Sequence, residues 1–527
     1  MYNVRVRIRR QFMGDLKTAY QLATERVIPS RYPKKDEEST YKVDFVKDWE
    51  YPSDNGDDPV MLDYSENSEN SENSENLAGR DYHLPSGTVL RDLIPMEITE
   101  SEADGYFRQV SRQGGVMPPS PDVLSAAQVM KEDARMNPSR EKPMEVYWSG
   151  NFLDYGGFAR LNRCMIFGLS DKNVIVNAEV QPYITDVNDS TRKGILELSK
   201  NRISPKAPKV FGATIPTDPS HSGYKILFTM METSLGVHKD YAEKLNMFNE
   251  VWVPTQNGKD ILISSGVRAR IEVMPLGVDV SRYKPSQDSM DFGDTLKEFR
   301  FVSVFKWSYR KGYDILLKAY LEEFSNDEDV SLLLVSRNLS SMKDSGVGKM
   351  VEDFNVIKDS INKLPENLPH VSLFSEKVPE MDMPKIYNAC DSFILISRGE
   401  GFGLPYCEAA SCGLPVIASN CTGQTEFLDR NNSYLIDPDD YVESNITGSY
   451  TQMAKMSRFY EGQKFPVFGD KAIKLVRQAM RDVYEKRAEA KEKAKRLRVK
   501  INKEYTWGQT IDRVYNRLKE VYKEQGL

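Results

Sequence analysis

Histidine and cysteine are scarce in this chain, and no long apolar run interrupts it. The four histidines, His83, His221, His238 and His370, show no HExxH or HxH spacing, so a zinc site is not expected. The five cysteines, Cys164, Cys390, Cys407, Cys412 and Cys421, lack paired CxxC spacing, and their odd number argues against a disulfide framework. They read as reduced, small core residues. No apolar stretch approaches the roughly 18 residues of a membrane span, and the mean hydropathy is -0.54. The first ten residues alternate charged and apolar side chains without the continuous apolar core of a secretory signal. The chain therefore reads as soluble and cytoplasmic.

What is present is a long chain of ordinary globular composition. Its 527 residues, 40% of them hydrophobic, allow about three domains of roughly 150 residues and need no disulfide or metal staple. The net charge of -7 is unevenly placed. Residues 36–76 hold fourteen acids against only Lys42 and Lys47, a net of -12, so the rest of the chain carries +5. Whole-chain charge is thus a poor guide to partners.

Texture changes near residue 143. Before it, residues 65–76 are four copies of Ser-Glu-Asn, a tract that cannot build a packed core. A strand at 2–9 and helices near 11–26 and 121–133 are the ordered pieces expected there; a small accessory domain for acceptor or partner is the alternative. After it, apolar runs such as Val146–Trp148, Val174–Val176, Ile226–Phe228 and Val251–Val253 alternate with helical stretches such as Asp240–Leu245. A second series follows Pro285: Phe301–Val304, Leu332–Val335, Val371–Phe374, Phe393–Ile396 and Val416–Ala418. Strands alternating with helices mean βαβ units and parallel sheets. The expected fold is α/β, two doubly wound Rossmann-like lobes facing a cleft. Near the C-terminus, Ile473 to Ile501 keep helical three-and-four spacing, and a shorter helix is expected after Trp507. Residues 471–503 carry thirteen basic and four acidic side chains. That stripe reads as a solvated helix face, with contact to an anionic membrane or nucleic acid, and so peripheral membrane association, as the alternative.

The densest chemistry lies at 397–426. This segment leaves the strand ending near Ser397 and enters a helix beginning near Leu404, at the strand end where open α/β sheets bind ligands. Gly401 and Gly403 let backbone approach a ligand, and free N–H groups at a helix start favour phosphate. Glu400 in the turn and Glu408 one helical turn inside can face one pocket and grip hydroxyls of a polyol.

Glu400 and Glu408, embedded in Gly-Glu-Gly-Phe-Gly-Leu-Pro…Glu-Ala…Gly-Leu-Pro-Val-Ile-Ala, resemble the signature of family 4 glycosyltransferases, retaining enzymes of GT-B architecture that use nucleotide sugars. The resemblance covers roughly 143–522 and nothing before it. It implies that Glu400 contacts donor-sugar hydroxyls, that Glu408 binds the nucleotide's ribose, and that the amides of Gly401, Phe402, Gly403 and Leu404 face sugar and diphosphate. The family's Arg and Lys that neutralise the leaving diphosphate fall on Lys306 and Lys311 in Phe305–Gly312; Lys stands at 306 in place of Arg, and Arg310 can share the task. Trp148–Arg160 resembles the first-lobe loop, in which Gly156 and Gly157 would approach donor phosphate and acceptor. Glu232 stands where many relatives carry a cleft-facing histidine, and Val378-Pro379-Glu380 where they pack the nucleotide base. Pro275-Leu276-Gly277-Val278-Asp279 resembles the end of the first lobe.

The expected organisation is an acidic, partly disordered N-terminal extension (1–142), an acceptor-side lobe (143–286), a nucleotide-sugar lobe (287–505) and a C-terminal helix packing back on the first lobe (506–527). The implied activity is retaining hexosyl transfer from a UDP- or GDP-linked sugar to a hydroxyl of a glycan, lipid or other polymer, with Glu400, Lys311 and Glu232 in catalysis and no metal or other cofactor. The rivals are an inverting transferase or nucleotide-sugar epimerase with Glu232, His238 or Asp240 as base, and a non-catalytic carbohydrate- or nucleotide-binding protein.

Overall fold

Short apolar runs separated by amphipathic helices build two parallel sheets in the computed structural model of the chain. Residues 4–7, 142–154, 156–180, 187–213, 221–293, 296–337, 347–376, 378–443 and 463–527 are described. The acidic tract and the helices expected near 11–26 and 121–133 lie outside them. Strand β1 (Val4–Arg7) falls within the stretch expected at 2–9 and runs parallel to an edge of the second sheet, Val4 opposite Val371.

The first lobe contains β2 (Glu145–Gly150), β3 (Ile175–Val180), β4 (Lys209–Gly212), β5 (Lys225–Phe228), β6 (Glu250–Val253) and β7 (Arg270–Val273), in the spatial order β3-β2-β4-β5-β6-β7. Helices α1 (Gly157–Asp171), α2 (Asp189–Ser199), α3 (Lys239–Leu245) and α4 (Gln256–Ser264) connect them. The second lobe contains β8 (Phe299–Lys306), β9 (Val330–Arg337), β10 (His370–Phe374), β11 (Ser392–Leu395), β12 (Val416–Ser419) and β13 (Tyr434–Ile436), ordered β10-β9-β8-β11-β12-β13 beyond β1. Its helices are α5 (Tyr313–Glu323), α6 (Val347–Asp359), α7 (Met383–Asn388) and α8 (Leu404–Ser411). A separate antiparallel pair, β14 (Asp440–Glu443) and β15 (Lys464–Val467), follows β13.

Parallel sheets covered on both faces have strands that are apolar throughout rather than alternating. Val251–Val253, Phe393–Leu395 and Val416–Ala418 are buried along their whole length, as that rule requires. All strands read from the sequence are present. The structure adds β4, β7, β13, β14 and β15, and the first two are inconspicuous because Lys-Val-Phe-Gly and Arg-Ile-Glu-Val each hold only two apolar residues.

The C-terminal helical span is two helices rather than one, α9 (Asp470–Glu485) and α10 (Arg487–Glu504). Lys486 breaks them, with φ -99° and ψ 50°. The last helix, α11 (Trp507–Gln525), is 19 residues long, shorter than that whole span but longer than either of its two helices. Its start is fixed by a capping box in which Thr506 and Gln509 satisfy each other's backbone N–H groups.

Part of the basic stripe is tied down locally. Arg477 and Arg481 reach Glu323 at 3.0 and 2.8 Å, Lys500 reaches Asp429 at 3.6 Å, and Arg496 and Arg498 donate to the carbonyls of Asn431 and Ser411. Lys471, Lys474, Lys491, Lys495 and Lys503 are exposed. No helix among the described residues is long and apolar enough to cross a membrane.

The chain leaves the first lobe through Pro275–Asp279 and returns at Thr506, and the two passes touch. Val278 N–H donates to the Tyr505 carbonyl at 2.9 Å, and Thr510 Oγ1 donates to the Pro275 carbonyl at 2.8 Å. A side chain at Gly277 would meet the backbone of Thr506 and Trp507 at 2.1 and 2.3 Å, so glycine permits this crossing. Beyond it, α11 lies on the first lobe. There Arg517 Nε donates to Glu250 at 3.0 and 3.2 Å, and the Tyr522 hydroxyl donates to the Glu145 carbonyl at 2.6 Å.

Candidate active site

The turn between β11 and α8 is held in place before any ligand is considered. Glu400 N–H donates to Thr422 Oγ1 at 3.0 Å, and its carbonyl accepts from Gly423 at 2.9 Å. Arg398 binds the Asp314 carboxylate with both terminal nitrogens, at 2.8 and 2.7 Å. It also donates to the Tyr309 carbonyl at 2.7 Å and lies 3.7 Å above the Tyr309 ring. That fork fixes the turn against the segment following β8. A 3-10 turn there, Tyr309–Lys311, aims Arg310 and Lys311 at Gly399 and Glu400.

Lys311 Nζ donates to both Glu400 oxygens, at 2.6 and 2.7 Å, and both side chains are largely buried. Burial raises a carboxylate's pKa, but the Lys311 and Arg310 charges and hydrogen bonds from Lys311 and Ser397 outweigh it and hold Glu400 below its ordinary value. Burial pushes Lys311 the other way, below the ordinary amine value, against the pull of Glu400. The Arg310 guanidinium lies 3.2 Å from Glu232 and donates to the Gly399 carbonyl. Lys306, at the end of β8, is exposed.

Gly403 has φ +100°, a conformation that glycine adopts without strain, and it starts α8 with Pro405 in the first turn. Among the described residues, the N–H groups of Gly401, Phe402, Gly403 and Leu404 donate to nothing. Such a run at a helix start is a cradle for negative charge. Across the cleft, Gly156 caps α1 and Gly157 begins it; a side chain at Gly157 would lie 4.0 Å from Leu404 Cδ1. A side chain at Gly401 would lie 2.6 Å from Met230 Cβ. The glycine expected to admit a ligand is thus also one that admits the opposite lobe.

Glu408 is 4% exposed and engaged at both oxygens. Oε1 accepts from Arg160 of α1, and Oε2 accepts from the Tyr387 hydroxyl at 2.8 Å. Arg160 Nε also reaches Glu380 at 3.2 Å, which Arg163 and Arg282 approach at 3.4 and 3.5 Å. Burial works to raise Glu380, but the three guanidinium charges hold it below the ordinary carboxylate range. Arg163 donates as well to the carbonyls of Phe152 and Asp154, at 2.8 and 2.6 Å, which ties the first-lobe loop into the cluster.

The structure therefore brings Lys311, Arg310, Glu232, Glu400 and the 401–404 amides together at one place and Glu408 into a neighbouring ionic cluster. Of the other candidate bases, His238 caps α3, accepting from the Asp240 N–H at 3.2 Å. Arg160, Arg163, Arg282, Tyr387 and Arg398 escaped the sequence reading. Only Arg160 and Arg163 left a trace, as two cations three residues apart on one helical face just after the glycine loop.

Residues 297–447, which hold Lys311, Glu400 and Glu408, match the family described as Glycosyl transferases group 1. This segment is a group 1 glycosyl transferase domain, and the family resemblance read from the two glutamates is borne out there. The chain is 28% identical over 173 residues to D-inositol 3-phosphate glycosyltransferase from Segniliparus rotundus, covering 32% of this chain and 36% of that protein. It is 44% identical over 63 residues to O-antigen chain mannosyltransferase B from Escherichia coli, covering 12% of this chain and 16% of that one. The matched stretch thus spans little more than a third of the first relative's length. Sucrose-phosphate synthase from Thermosynechococcus elongatus superposes with a TM-score of 0.52 at 13% identity, covering 72% of this chain and 100% of that one. The architecture is GT-B.

Proposed function

We propose that the chain is a retaining hexosyltransferase that uses a UDP- or GDP-linked sugar and delivers the hexosyl group to a hydroxyl of a glycan, lipid or other polymer. The observation that carries this reading is the Lys311–Glu400 pair beside four amides free to bind an anion. Glu400 accepts hydroxyls of the donor sugar, and Glu408 those of the ribose. The 401–404 amides and Lys311, with Arg310 and Lys306, neutralise the departing diphosphate. Gly156 and Gly157 let the first-lobe loop approach the phosphate. Glu232, held by Arg310, presents a carboxylate to the acceptor. Retention follows if the departing phosphate oxygen takes the acceptor proton on the face it leaves, which needs positioning more than a strong base.

No metal enters this scheme, because Lys311 and Arg310 supply the positive charge; turnover should be unchanged by a chelator. The names of the relatives point to phosphorylated polyol or glycan acceptors. For an acceptor in an anionic membrane, the exposed lysines of 471–503 would supply a salt-sensitive contact, readable as binding to anionic lipid vesicles.

Glu400→Gln keeps an amide oxygen for Lys311 but removes the charge. It should lower kcat by about a hundredfold or more while the protein stays folded. NMR of the product anomer should show the donor's configuration. Full activity in Glu400→Gln would sink the site assignment, and an inverted anomer would sink the retaining mechanism.

A further inference from the structure

The cluster around Glu408 does more than surround a ribose carboxylate. Arg160 and Glu408 belong to different lobes, so their contact is a bond across the cleft. Both oxygens of Glu408 are occupied, one by Arg160 and the other by the Tyr387 hydroxyl. A ribose diol brings two hydroxyl donors to a carboxylate that is 4% exposed. Tyr387 approaches from Glu408's own lobe, so the oxygen to be yielded is the one facing Arg160.

Removing a guanidinium from a buried carboxylate normally leaves an unpaired charge. Here Arg160 already reaches a second carboxylate through Nε, Glu380 at 3.2 Å. It can leave Glu408 without losing a counter-charge of its own, and the ribose hydroxyls replace it as donors to Glu408. Beside them the Tyr283 hydroxyl, 2% exposed, has no hydrogen-bond partner. One buried polar group therefore already stands ready for a rearranged donor or acceptor.

We propose that Arg160 is a cross-lobe latch that competes with the nucleotide's ribose for Glu408. Donor binding exchanges the Arg160–Glu408 contact for the ribose contact and moves Arg160 fully onto Glu380. The proposal rests on reading Glu408 as the ribose carboxylate. Its consequence is a masked affinity, since a site open in only a fraction of molecules binds more weakly by that fraction.

Calorimetric titration of the full chain with UDP and with GDP tests this. Arg160→Met keeps the aliphatic stem and removes the competitor. If the latched state holds roughly nine molecules in ten, Arg160→Met should bind the preferred nucleotide about tenfold more tightly, while its melting temperature without nucleotide falls. Glu408→Gln should bind more weakly. Arg160→Lys, with a shorter reach and the same charge, should lie between wild type and Arg160→Met, and it serves if Arg160→Met does not fold. Unchanged or weaker binding by the Arg160 variants, with Glu408→Gln still impaired, overturns the latch and leaves the ribose site standing. Unchanged binding by Glu408→Gln overturns the ribose reading and the latch with it.

Discussion

Glu400 is a buried carboxylate that stays charged because of one neighbour above all. Burial alone would raise its pKa, so removing Lys311 should reverse the direction of its shift. In Lys311→Met the Glu400 carboxyl should titrate above the ordinary 4.5 rather than below it, as read by NMR of labelled glutamate side chains. A carboxyl that stays below 4.5 would mean that Arg310 and Ser397 suffice. Arg398 acts at one remove. Its fork on Asp314 depends on guanidinium geometry, so Arg398→Lys should cost about 1–2 kcal/mol in transition-state stabilisation, seen in kcat more than in KM. Glu400, Glu408 and Lys311 could be read from the sequence because glycines and prolines crowd one short turn around the acids, and because the cations follow a strand. The contact of Arg160 with Glu380 and Glu408 could not. Arg160 and these acids lie more than two hundred residues apart in sequence, and only folding shows that a surface-like arginine is buried against an acid.

At the scale of elements, the parallel strands were legible wherever burial on both faces makes them continuously apolar. β4 and β7 were not, because charged ends dilute two-residue apolar cores. The break at Lys486 left no mark either, since apolar spacing runs on through it. The element with most at stake is α11. Glu250 is fully buried, and Arg517 supplies its counter-charge while Trp252 and Tyr224 donate to it at 2.8 and 3.0 Å. Arg517→Met should therefore destabilise the chain by about 3–5 kcal/mol, through the carboxylate it strands, and chemical denaturation would measure it. The double variant with Glu250→Gln should recover part of that loss. If the single variant costs nothing, α11 is held by its apolar face alone.

At the scale of the molecule, the two lobes are joined by a double chain crossing and by ion pairs across the cleft. Glu380 gathers three arginines, two of them from α1 of the first lobe, and its folded-state pKa lies below the ordinary 4.5. A carboxylate depressed in this way contributes stability that is complete above the unfolded value and is lost as pH falls through the folded one. Wild type should lose melting temperature between about pH 5 and pH 3 more steeply than Glu380→Gln; parallel profiles would remove Glu380 from the cross-lobe balance. The charge of -7 is also a whole-molecule quantity, but residues 36–76 dominate it and it says little about the lobes. Use of a nucleotide sugar underlies every role proposed for these residues. The most direct measurement is release of nucleoside diphosphate from a panel of UDP- and GDP-linked hexoses, with and without polyol and glycan acceptors. One hexose donor should be consumed, faster when its acceptor is present. Consumption of none, with no nucleotide sugar raising the melting temperature, would contradict it.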